Sequence, residues 1–127
     1  MFKYLKEHSE NLVAVMVTGR LEKADYNSLI PEVEDKINRY KKIDIYWEMV
    51  DFDGWDLQGI LQELTFDLRH LNDIHRAAIV GDKKWEEIVT NVAQHFTTAD
   101  VKFFEVSARD QAMLWIKQQS ENQEKAV

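Results

Sequence analysis

The residues whose types and spacing could do chemistry gather in Glu48-Met49-Val50-Asp51-Phe52-Asp53-Gly54-Trp55-Asp56. Its carboxylates, Glu48, Asp51, Asp53 and Asp56, are of the kind that holds a divalent cation through oxygen ligands. The EF-hand pattern is absent, however. Helix capping is the stronger reading: Asp53 caps a helix beginning near Gly54, and Asp56 favours that helix's dipole. The four histidines, His8, His70, His75 and His95, show no HExxH spacing. Of these, His70 and His75 could approach each other across a helix–strand junction, but no metal-ligand pattern surrounds them.

Other catalytic signatures are missing. Gly19, Gly54, Gly59 and Gly81 are scattered, without GxGxxG or Walker spacing. No G-x-S-x-G elbow is present. With no cysteine there is no thiolate nucleophile, disulfide framework or Cys-based zinc site. The expectation is a non-enzymatic domain with no cofactor and no metal.

Composition narrows the partners. The formal net charge of −7 opposes binding to phosphate backbones and anionic headgroups. Nucleic acid is not expected, and membrane contact is at most peripheral. No apolar run approaches the length of a membrane span, and the N-terminal stretch lacks the apolar region of a signal peptide. These features predict a cytoplasmic protein. A chain of 127 residues, 45% apolar, suits one domain with one core. The expected boundaries are a domain over 1–119 and a frayed polar tail over 120–127.

The elements that must position these residues follow from periodicity. Phe2–His8 reads as an edge strand. Leu12–Val17 is uninterruptedly apolar, as in a strand buried on both faces, and a short turn makes the two an antiparallel hairpin. Tyr26, Leu29, Ile30, Val33, Ile37 and Tyr40 recur at helical spacing. Pro31 either kinks that helix or starts it. Ile43, Ile45, Trp47 and Met49 alternate as a strand, and Leu57, Ile60, Leu61, Leu64, Leu68 and Leu71 form a helical stripe. Ala77–Val80 is a short strand closed by Gly81, with Asp82 as N-cap of the next helix. Val101–Val106 is the last strand, and Ser107 with Asp110 resembles a capping box for the last helix.

The order ββαβαβαβα predicts an α/β fold: a mainly parallel sheet with an antiparallel N-terminal hairpin, packed by helices. Val13, Val15, Ile45, Trp47, Leu61, Leu64 and Val80 are expected in one core.

Two further patterns bear on binding. Trp55, Gly59, Gln62 and Phe66 lie nearly opposite the leucine stripe, where a sheet-covering helix is normally polar. Either Trp55, Gly59 and Phe66, beside Asp53, form a partner surface, or Trp55 packs down from the preceding loop. The segment 83–96 carries Trp85, Ile88, Val89, Val92 and Phe96 on one stripe. It is either ordinary sheet cover or a flap over an apolar cleft. Its polar face lacks the Lys/Arg of an interfacial helix.

Asp51-Phe52-Asp53-Gly54 resembles in character the D-x-S-G loop of STAS domains, the anti-anti-sigma-factor fold. FDGWDL at 52–57, VGDKKWEE at 80–87 and FTTADVKFFE at 96–105 resemble the SpoIIAA-like family more closely, and the likeness runs over nearly the whole chain. The resemblance implies a STAS-like fold and a binding or regulatory role. It also implies control by phosphorylation of the loop serine, yet Asp53 stands there without a hydroxyl, which excludes that control. The partners expected are a small apolar or lipid-like ligand in a cleft gated by the 83–96 helix, or alternatively a protein partner or homodimer mate.

Overall fold

A computed structural model describes residues 1–55, 72–96 and 99–125. The expected helix over Leu57–Leu71 lies outside them, as do Gly59, Leu61, Leu64, Phe66 and His70.

Five strands form one sheet in sequential order: β1 (Phe2–Tyr4), β2 (Leu12–Leu21), β3 (Ile43–Trp55), β4 (Ile74–Gly81) and β5 (Asp100–Glu105). The first pair is antiparallel, with Phe2 opposite Val17 and Tyr4 opposite Val15, and the other pairs are parallel. This is the mixed α/β sheet that the alternating pattern predicts. β1 is shorter than expected and stops at Tyr4; Lys6 and Glu7 turn the chain away before His8.

Three helices are described: α1 (Lys23–Tyr40), α2 (Glu86–Phe96) and α3 (Arg109–Lys125). α1 runs through Pro31, which is itself exposed and whose ring removes one interior N–H donor. At its start, Glu22 N–H donates to Asp25 Oδ2 at 2.9 Å, satisfying a backbone donor at the helix entry. A 3₁₀ turn over Lys83–Trp85 precedes α2. Asp82 stands at the cap position of that turn in extended conformation but makes no side-chain capping bond. Likewise Ser107 lies inside a 3₁₀ turn (Val106–Ala108), so it does not cap α3. The backbone of α3 is helical to Lys125.

The sheet separates two apolar clusters where one was expected. Strand periodicity of two sends Val13, Val15, Val17, Ile43 and Met49 to one face, against Leu29 and Ile37 of α1, with half-buried Ile45 and Trp47 beside them. Leu12, Ala14, Tyr46, Ala78, Val80 and Phe104 face the other way, against Ala112 and Ile116 of α3. Val80 therefore belongs to a different cluster from Val13 and Val15 because helices cover both faces of a central sheet.

Candidate functional site

The alternation that buries Ile43, Ile45, Trp47 and Met49 on one face of β3 puts Asp44, Tyr46 and Glu48 on the other. α3 covers that face, so Asp44 is 0% and Glu48 1% exposed. Tyr46 Oη donates to Glu48 Oε1 at 2.5 Å. Arg109, the first residue of α3, brings Nε to 3.3 Å from the same oxygen. Burial and the adjacent carboxylate push the Tyr46 phenol well above its ordinary pKa, so it remains a donor.

The second carboxylate is held differently. His75 Nδ1 lies 3.3 Å from Asp44 Oδ1. Burial raises the Asp44 pKa, opposed by His75 and by the backbone N–H and charge of Arg76. Asp44 Oδ2 and Arg76 Nε are both buried without a hydrogen-bond partner among the described residues. The Arg76 guanidinium stacks 5.1 Å over the Trp115 ring of α3 and reaches Asp100 at 3.7 Å. The row thus fastens α3 to the sheet by charge as well as packing. Sequence reading missed it, although the alternation over 43–49 already assigned these polar residues to a second face.

Past Val50, β3 carries two extra residues relative to β2. Thr18 pairs with Val50, Gly19 with Phe52 and Arg20 with Gly54, leaving Asp51 and Asp53 opposite no partner. Gly19 (φ 59°) and Asp51 (φ 47°) take left-handed conformations there, the local kink expected of a β-bulge. Asp51 and Asp53 are exposed. Asp53 and Gly54 are strand residues, so Asp53 does not cap a helix beginning at Gly54: pairing with Gly19–Leu21 outweighs the local turn signal. Trp55 ends the strand opposite Leu21.

Beyond β4, Gly81 passes close to Met49; a Cβ on it would lie 2.7 Å from Met49 Cε and 3.8 Å from Trp85 Cδ1. Trp85 is half-buried, 5.4 Å from the Phe52 ring and packed against the α1-side cluster. Val89 is also half-buried, but Ile88 is 44% exposed. Val92, His95 and Phe96 lie on α2. The structure thus joins Trp85 to the core and leaves Ile88 open.

Among the described residues no cluster of His, Asp and Glu could hold a metal ion. No described helix is long and apolar enough to cross a membrane.

A sequentially ordered mixed sheet, one antiparallel edge hairpin and helices on both faces define a STAS-like α/β module. The SpoIIAA-like family model matches residues 12–117, and the chain belongs to the SpoIIAA-like family. A similar solved structure, with 28% sequence identity and a TM-score of 0.70, covers 91% of this chain and 93% of its own. It is an uncharacterised protein from the DUF3478 family with a SpoIIAA-like fold, from Shewanella loihica PV-4. Among curated proteins, none matches this chain. The family and fold support a regulatory or binding module in general terms.

Proposed function

We propose that this domain is a non-enzymatic binding module that takes a small apolar or lipid-like ligand against the segment from Trp85 through α2. The observation that carries the reading is the contrast between Trp85, seated on Phe52, and Ile88, left open three residues later. Trp85, Ile88 and Val89 have i, i+3, i+4 spacing, the spacing of one helix face. A ligand chain lying on this stripe would gain about 25 cal/mol per Å² of apolar surface it covers. A ligand that prefers α2 displaced would shift the population by its differential affinity.

The test is titration with a monomeric fatty acid, following tryptophan emission in wild type and Trp85→Phe. Hydrogen exchange over 83–96 is measured in parallel. The reading expects an emission change lost in Trp85→Phe and altered exchange over that segment. No response in either measurement leaves α2 as sheet cover. Ile88→Ser should weaken binding with little change in stability.

A second reading has its own support. Asp51 and Asp53 project from the bulged end of β3 and are exposed. An acidic surface of this kind suits a basic protein partner. Asp51→Lys with Asp53→Lys should abolish such association and leave fatty-acid binding intact.

A further inference from the structure

β1 pairs with β2 only as far as Tyr4 and Val15. Leu5 N–H then donates to Ala14 O at 2.9 Å, and the chain turns away. Ala14 N–H still points at the departing strand. It donates not to a carbonyl but to His8 Nδ1, at 3.1 Å. His8 N–H donates to Leu5 O at 3.0 Å, which fixes the turn and sets the ring in place. The imidazole thus fills the position a main-chain acceptor would hold had β1 continued.

We propose that His8 is an acid-released latch: its neutral ring closes β2's hydrogen bonding at Ala14, and protonation withdraws the ring and opens the β1–β2 turn. An Nδ1 lone pair that accepts the Ala14 N–H cannot also carry a proton. The neutral ring must therefore hold its proton on Nε2. A proton taken from solvent onto Nδ1 would set two N–H groups facing each other at 3.1 Å. The imidazolium cannot keep this pose.

The surroundings do not rescue it. From α1, Glu32 Oε2 lies 3.7 Å from Nε2, beyond hydrogen-bonding distance, and Nε2 is buried without a hydrogen-bond partner among the described residues. Also from α1, Lys36 is buried, donates from Nζ to Glu10 O at 2.5 Å, and repels a positive ring. From β1, Tyr4 packs its ring 4.2 Å from the imidazole, and burial with nearby Glu32 keeps its phenol protonated. Burial of the ring and the Lys36 charge outweigh Glu32, holding His8 below its ordinary pKa. The opened turn has a histidine of ordinary pKa, about 6.5, and so binds the proton first. Opening is favoured as pH falls below that value. With one proton linked, the open population rises by at most about tenfold between pH 7.5 and 5.5.

The test is NMR on the full chain. Imidazole nitrogen shifts should report the Nε2–H tautomer of His8 with a midpoint below 6.5. Ala14 amide exchange, corrected for intrinsic chemistry, should rise by up to about tenfold from pH 7.5 to 5.5, while Ala78 in the middle of β4 stays protected. His8→Gln, whose side-chain oxygen accepts the same N–H but does not titrate, should make Ala14 exchange independent of pH over this range. An Nδ1–H tautomer, a midpoint at or above 6.5, or the same pH dependence in His8→Gln would overturn the latch. The tautomer and midpoint in the native protein decide the matter even if the variant does not fold.

Discussion

Glu48, in the middle strand of the sheet, and Arg109, the first residue of the last helix, meet at 3.3 Å across the α3 interface. The carboxylate is sealed from water, whereas the guanidinium side chain is half-exposed at 50%. Removing the cation therefore strands a buried charge with Tyr46 as its remaining polar contact among the described residues. Arg109→Ala should destabilise by about 1–3 kcal/mol in urea unfolding, less than a fully buried pair because solvent screens the arginine. Glu48→Gln, which keeps an acceptor for Tyr46, should cost less. An Arg109→Ala loss within the range of ordinary surface changes would show that the pair does not hold α3.

Tyr46→Phe isolates the neutral half of that cluster. It removes the donor at 2.5 Å and leaves ring packing intact. The expected loss is about 1–2 kcal/mol. If Tyr46→Phe and Arg109→Ala act on one carboxylate, their effects will not add, and a double-mutant cycle measures the coupling.

Ile116 is fully buried against the second face, near Ala112 and Ala78. Ile116→Ala should cost about 2–5 kcal/mol. A loss under about half a kcal/mol would mean that α3 does not pack there. Trp115 emission should redden in the variant as the helix loosens.

Asp44 gives a pH signature opposite in sign to that of His8. Its folded pKa is raised by burial, so from the ordinary value of 3.8 upward the folded protein binds more protons than the unfolded chain. Its contribution to stability falls as pH rises through that window. Asp44→Asn should therefore gain on wild type between pH 4 and 7, read from urea midpoints at each pH. A constant difference would show that Asp44 is not ionising against its burial.

Gly81→Ala should be mildly destabilising, by about 1 kcal/mol, because its Cβ meets the mobile end of Met49 rather than backbone. Combination with Met49→Ala should reduce the clash component. Thermal melts of the single and double variants test this.

The succession of elements and the hairpin were legible because buried parallel strands are long apolar runs and the helical stripes between them are distinct. The bulged end of β3 was not. Asp53-Gly54 carries turn chemistry, yet ladder pairing with Arg20 and Leu21 extends the strand through it. Ser107 was misread for a related reason: a 3₁₀ turn delays the start of α3 to Arg109. The row Asp44, Tyr46, Glu48 went unread because polar residues on a strand usually mark a solvent face, whereas here a helix from the far end of the chain covers them. The spacing marks Trp85, Ile88 and Val89 as one stripe, but the exposure of Ile88 depends on tertiary packing.

That late cover has a consequence for synthesis. β2, α1 and β3 leave the ribosome together and can assemble the cluster around Val15, Leu29 and Ile43 early. The opposite face of β3 waits for Ala112 and Ile116, which follow β3 much later in the chain. An all-aliphatic face would then stand bare as a sticky sheet surface. Asp44, Tyr46 and Glu48 would offer water polar groups on that face while it waits, and Arg109 would reach Glu48 only with the closing helix. Polar residues on a sheet face that is covered late are an arrangement expected to limit its association with other chains before the covering helix docks.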